Sequence, residues 1–215
     1  MYLYLPYSRK LNLSIVALGL LHSVGLAGMA MSDLHFFSSL SPYNLLFSAI
    51  LVLIVQKIDK VFIRYLFVTS VAGFMVEVAG VNSGVIFGVY EYGNSLGLKV
   101  FGVPLIIGIN WWLVMYGSAL LSDVIAISTN PYLRCAIASA LAVSLDAAIE
   151  PVASKLDFWY WQGGSAPIQN YIAWFVVSFV LQLMYHNMPF TKKNKTAIAV
   201  FAVQSVFFIM LNILI

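Results

Sequence analysis

Residues 145–164 read "LDAAIEPVASKLDFWYWQGG". An apolar segment closes there on Asp146 and Glu150, passes Pro151, and runs into Asp157 and the rings of Phe158, Trp159, Tyr160 and Trp161. Three of the chain's 8 acidic residues therefore crowd into one short stretch among aromatic side chains. An apolar helix that ends in acids and rings is the unit from which the rest of the sequence can be read.

Composition sets the class. Of 215 residues, 62% are hydrophobic and 9% charged, against roughly 25% charged in a soluble domain. Segments of about 20 apolar residues, enough to cross a bilayer, recur almost end to end. The expectation is an all-α, polytopic membrane bundle, one integral domain over 1–215. Its seven spans fall near 12–31, 42–57, 61–81, 102–122, 132–150, 168–186 and 196–215, with "KIDK" (57–60) and "TKKNK" (191–195) as polar breaks. Seven spans put the termini on opposite sides. Arg9, Lys10, Lys57, Lys60, Arg64, Arg134, Lys192, Lys193 and Lys195 then share the N-terminal side, and only Lys99 and Lys155 the other. That bias places the N-terminus in the cytoplasm and the C-terminus outside a cell membrane. The net charge of +3 is thus a topology signal, and no nucleic-acid partner is expected. Arg9 and Lys10 precede a long first segment with no small-residue cleavage site, so no removable leader is expected. Cys135 is the single cysteine, which excludes an intramolecular disulfide and a four-cysteine metal site. His22, His35 and His186 show no metal-ligand spacing, so neither a metal nor a cofactor is expected.

The acids sort against the bases. Asp59 and Asp123 fall on the cytoplasmic side, whereas Asp33, Glu77, Glu91, Asp146, Glu150 and Asp157 fall in the outer half or outer loops. Asp33 reads as an ordinary loop acid. Glu77, Asp146 and Glu150 sit inside or at the ends of spans.

Two stretches resemble copies of one unit. The span ending near Glu77 is followed by "FGVYEYG" (87–93), and the span ending at Glu150 by "DFWYWQG" (157–163). Each cluster of rings leads into a segment expected to start a helix at proline: "PLIIGINW" from Pro104 to Trp111, and "PIQNYIAW" from Pro167 to Trp174. Proline suits a first helical turn because its missing N–H has no partner there. The interval from proline to tryptophan is seven residues in both, close to two turns. A duplicated unit often places a site where its copies meet.

Helical spacing puts Asp146 and Glu150, four residues apart, on one face. Glu77 lies about four residues, roughly 6 Å, from the outer end of its span. The negative end of an outward-running helix disfavours a carboxylate, and so does burial. A carboxyl kept neutral in this way is what a general acid requires. The plainer reading makes these acids hydrogen-bonding partners of neighbouring helices. Three at one level, bordered by repeated rings, favour chemistry. Glu150 is the first choice for proton donor, with Asp146 one turn deeper and Glu77 across the bundle. Asp157 lies beyond an expected helix break at Pro151 and should see water.

At these residues the chain resembles the carotenoid biosynthesis protein family that includes the CruF-type carotenoid 1,2-hydratases and the bisanhydrobacterioruberin hydratases. The resemblance covers roughly 70–175 and rests on Glu77, on "FGVYEYGNSLGLKVFGVPLIIGINW" (87–111), and on "DAAIEPVASKLDFWYW" (146–161) with "PIQNYIAW". The family pattern has Asp before the proline where this chain has Glu150–Pro151. It has glycines where this chain has Ala166 and Ala173. The resemblance implies cofactor-free addition of water to the terminal 1,2 double bond of an acyclic carotenoid. A carboxylic acid among Glu77, Asp146 and Glu150 would protonate C2. Faces of Tyr90, Tyr92, Trp111, Trp112, Trp159 and Trp161 would stabilise the tertiary cation at C1, each by about 2 kcal/mol or more when desolvated. Asn170 and Trp174 of "PIQNYIAW" join the substrate-binding set. The implied partners are a long polyene and the lipid bilayer. An interfacial aromatic belt accounts equally well for some of the rings.

Other classes fit less well. A retinal photoreceptor needs a lysine in its last span, and 196–215 has none. A proton-coupled transporter usually holds its acids near the midplane. An end-group cyclase begins with the same protonation, and sequence does not separate it from a hydratase. A non-catalytic role beside other carotenoid enzymes also stays open.

Overall fold

The computed structural model describes residues 6–126 and 129–215. Among them the chain forms eight helices: α1 (Tyr7–Met31), α2 (Leu34–Ser39), α3 (Ser41–Val55), α4 (Lys60–Ser83), α5 (Ile106–Ile125), α6 (Pro131–Ala153), α7 (Ile168–Asn187) and α8 (Lys195–Leu214). Four short strands lie in the connections: β1 (Tyr90–Tyr92), β2 (Lys99–Val100), β3 (Val103–Pro104) and β4 (Trp159–Trp161).

The polar residues between the apolar segments act as caps. Asp33, Asp59 and Asn130 accept the backbone N–H groups of Phe36, Phe62 and Tyr132, and Asn194 accepts those of Thr196 and Ala197. Each cap satisfies a donor that a helix start leaves unpaired. Asp33 is therefore more than a loop acid: it starts α2, a helix that hydropathy does not mark.

The seven longer helices alternate in direction. At one end the connection near Ser38 meets Ser95, and Lys155 reaches the carbonyl of Ile215. At the other, Gln56 bonds the carbonyl of Thr191 and Tyr7 that of Lys193. The first is called here the ribbon end and the second the lysine end. Five helices (α1, α4, α6, α7 and α8) are long and apolar enough to cross a membrane. The other two expected spans differ for physical reasons. α3 has 15 residues, about 22 Å at 1.5 Å each. α5 has 20 residues, but Asn110, Tyr116, Ser118, Ser122 and Asp123 lower its hydropathy. It is the central helix, buried on nearly every face against its neighbours.

Two boundaries depart from expectation. The span expected over 102–122 begins with a hairpin, where Lys99 pairs with Pro104 and Val100 with Val103. Phe101 and Gly102 take left-handed φ values of 52° and 82° to make its turn. Pro104 thus sits in a strand and α5 starts two residues later, whereas Pro167 stands directly before α7. The other departure is at Pro151, which does not break α6. Removing one N–H deprives a single carbonyl of its bond, and the next turn is anchored by buried Val152, Ala153 and Leu156.

Helices in lipid associate through close packing more than through water exclusion. Gly73 of α4 shows this: a Cβ there would lie 2.3 Å from the Trp111 ring of α5. Its absence lets that indole pack close against α4 and reach one turn further, to Glu77.

Candidate active site

The two aromatic loops pair with each other. β1 and β4 run antiparallel with Tyr90 opposite Trp161, Glu91 opposite Tyr160 and Tyr92 opposite Trp159. Side chains alternate across a strand. Tyr90, Tyr92, Trp159 and Trp161 therefore face one way, into the bundle, and Glu91 and Tyr160 face out. Tyr90 and Trp161 approach to 4.8 Å between ring centroids, and Tyr92 and Trp159 to 6.2 Å.

Each inward ring donates to an acid. Tyr90 and Tyr92 hydroxyls donate to Glu77 Oε2 at 2.5 and 2.9 Å, and Trp111 Nε1 to Glu77 Oε1 at 3.0 Å. Burial first, then the Glu77 carboxyl beside them, push both tyrosine hydroxyls above their usual range, so they remain protonated donors. Opposite them, Trp159 and Trp161 indoles donate to Glu150 Oε2 at 3.2 and 2.7 Å. Asn170 of α7 offers its amide to Asp146 Oδ2 at 2.8 Å and to Glu150 Oε1 at 3.5 Å. Asp146 Oδ1 accepts nothing among the described residues. Trp111 and Trp174 stack at 4.1 Å and 10° between the two halves.

Glu77, Asp146 and Glu150 line one cavity with Tyr90, Tyr92, Trp111, Trp159, Trp161, Asn170 and Trp174. Its volume is about 40 Å³, room for roughly three or four waters at about 10–15 Å³ each. No lysine, arginine or histidine lines it among the described residues. Nor is any group of three or more His, Cys, Asp and Glu side chains placed there to hold a metal ion.

Trp112 is not brought to this site. It stacks on Tyr116 at 17° and meets Phe62 edge-on, deeper toward the lysine end. Asp157 is also separate, and it does more than face water. Its carboxylate accepts from the Asn94 N–H at 2.9 Å, the Tyr160 hydroxyl at 2.8 Å and the Ser95 hydroxyl at 3.4 Å. Partial desolvation opposes the charge, but those hydrogen bonds together hold the carboxyl below its usual range. Asp157 latches the loop after β1 onto the loop before β4.

Sequence reasoning missed Asn110, one residue before Trp111. It lines the acid cavity and a second, larger apolar cavity, and its amide has no hydrogen-bond partner among the described residues. An asparagine inside an otherwise apolar segment was the available signal.

Helical spans enclosing buried carboxyls and aromatic donors define a membrane-embedded protein with an acid–aromatic site. The model of the family described as "Carotenoid biosynthesis protein" matches residues 41–215, and the chain belongs to that family. No curated protein and no solved structure matches the chain.

Proposed function

We propose that this protein is a carotenoid 1,2-hydratase-like enzyme that adds water to the terminal double bond of an acyclic carotenoid end. The observation that carries the reading is one small cavity lined by three carboxyls, seven aromatic rings and, among the described residues, no basic group. Family membership supports a carotenoid substrate.

The carboxyls differ in how many donors they meet, and that suggests their roles. Glu77 accepts three hydrogen bonds and suits a fixed carboxylate facing the cation. Glu150 accepts two indole N–H groups on one oxygen and the longer Asn170 contact on the other, and suits the base. Asp146 has an oxygen free of donors, so the proton is assigned to it, not to Glu150 as sequence alone favours. Asp146 gives this proton to C2, and the alkene electron pair forms the new C–H bond. The tertiary cation at C1 sits against indole and phenol faces. Water, held near the unpaired amide of Asn110, adds its lone pair to C1 and passes its extra proton to Glu150. Proton return from Glu150 to Asp146, which share Asn170, completes the cycle. The net change is one water added.

The same reading carries the topology: seven helices crossing a cell membrane, N-terminus in the cytoplasm, with the ribbon end outward where water is available. Side by side, the paired aromatic loops and the stacked Trp111 and Trp174 support the duplicated unit seen in sequence. Expression in a lycopene-producing bacterium, followed by mass analysis of the pigments, tests the reaction. A gain of one water is expected, whereas an isomer of unchanged mass would make the protein an end-group cyclase.

A further inference from the structure

A second cavity, about 400 Å³, opens beside the acid site. It lies among α1, α2, α3, α5, α6 and α8. Among the described residues no Asp, Glu, Lys or Arg lines it, His22 being its one ionisable group besides Tyr43. Its walls are mostly apolar, with Met29, Phe37, Leu45, Phe158 and Phe207 among them. Ile107, Asn110, Leu145, Ile149 and Trp159 line both cavities, so the two adjoin.

The mouth of the larger cavity can be placed. Val24 of α1 and Tyr43 and Phe47 of α3 line it and are also 61%, 68% and 41% exposed. Apolar side chains that are both cavity wall and outer surface mark an opening between α1 and α3, on the flank a bilayer would cover. Along α1 the lining runs from Leu21 to Met29, about 12 Å at 1.5 Å per residue. Beyond it toward the lysine end, the rings of Phe62, Tyr65, Tyr116 and Phe190 pack on one another. A chain reaching the acids therefore cannot thread the bundle. It has to leave sideways.

We infer that this cavity holds the terminal segment of an acyclic polyene, which enters from the bilayer between α1 and α3 and leaves the rest of its length in lipid. The inference rests on the carotenoid reading above and adds a binding site to it. Size gives the selectivity. The apolar cavity has the volume of an ordinary ligand site, while the acid cavity beyond Asn110 has a tenth of that space. A slender acyclic tip, with only methyl branches, can present its last double bond there. A cyclised end group is too bulky to follow.

Cysteine protection tests this without relying on turnover. Cys135 is the only native cysteine and is buried, so it is replaced by alanine. Single cysteines are then introduced as Gly25→Cys and Ser41→Cys in the cavity wall, and as Val180→Cys on the exposed face of α7. A Cβ at Gly25 meets only Phe207, at an ordinary 3.7 Å. The protein in lipid nanodiscs is labelled with a membrane-permeant maleimide, with or without lycopene. Ligand at about ten times its dissociation constant leaves about one site in ten open, so labelling should slow about tenfold. That slowing is expected at both cavity positions and not at Val180→Cys, and two-ringed β-carotene should not produce it. Equal labelling with and without lycopene at both cavity positions overturns the inference. Protection that persists in Asp146→Asn protein supports the cavity even if hydration fails. Unprotected cysteines in protein that still hydrates lycopene overturn the cavity and leave the hydratase reading intact.

Discussion

The two ends of the bundle bury polar groups in opposite ways. At the lysine end the groups around Gln56 and Asp123 are paired. Gln56 donates to the carbonyls of Lys57 and Thr191 and accepts from Tyr116 and Asn194, so its amide is fully used. Asp123 there faces Arg134 at 3.4 Å and accepts the Tyr185 hydroxyl. At the ribbon end three carboxyls share one cavity with donors of no charge. Burying ionisable groups without a counter-charge is costly, and a structural role needs no such arrangement. The base-rich end holds the helices through networks such as that of Gln56, although the Tyr65 and Thr196 hydroxyls there find no partner among the described residues. The acid-rich end, with no counter-charge lining its cavity among the described residues, is where proton transfer is proposed.

The comparison breaks most sharply on activity. Asp146→Asn and Glu150→Gln should each lower pigment conversion by about 10²–10⁴-fold, with normal amounts of folded protein in the membrane. Wild-type conversion in both would make the acids of "LDAAIEP" structural. Gln56→Leu should do the reverse. It removes the partner of the Tyr116 hydroxyl and of the Thr191 carbonyl, while Asn194 keeps its bond to Val52. The cost is about 1–3 kcal/mol for each buried group left unpaired. A lower unfolding temperature in detergent is expected, with the same product made by the protein that remains folded. A changed product would erase the distinction between the ends.

Gly73→Ala sharpens the comparison from within α4. The added methyl displaces the Trp111 ring and with it one donor to Glu77. Overpacking of this kind costs about 1–3 kcal/mol, and conversion per folded molecule should fall as well. Stability lost with activity unchanged would remove Glu77 from the mechanism.

The smallest effect belongs to Asp157. Its folded carboxyl titrates lower than in an unfolded chain, near about 3.9, so its stabilisation is complete above about pH 4. It is lost as the pH falls through the lower folded value. Proteolytic nicking of residues 93–98 should therefore rise only in acid, and Asp157→Asn should raise it at neutral pH and flatten the acid rise. Matching pH profiles for wild type and variant would show that the latch carries nothing.

Much of this was legible beforehand, and the failures have physical causes. Spans of about 20 apolar residues mark α1, α4, α6, α7 and α8, because lipid reads hydropathy directly. The hairpin before α5 was hidden because it depends on the backbone at Phe101 and Gly102, while the surrounding residues stay apolar. The three acids converge as helical spacing suggested. The ribbon that holds them is written in the alternation of Tyr-Glu-Tyr and Trp-Tyr-Trp. Trp112 follows Trp111 directly, and successive helical residues point about 100° apart, so only one of the two reaches the acids. The larger apolar cavity has no local signature, since its walls come from helices far apart in the chain.

The most direct test of the central claim is the fate of the water. Purified protein in nanodiscs is given lycopene in deuterium oxide enriched with heavy oxygen, and the product is analysed by mass spectrometry and NMR. The account predicts a tertiary alcohol carrying one heavy oxygen at C1 and one carbon-bound deuterium at C2, formed by wild type and abolished in Asp146→Asn. A product without added oxygen, or hydration undiminished in Asp146→Asn, would contradict it.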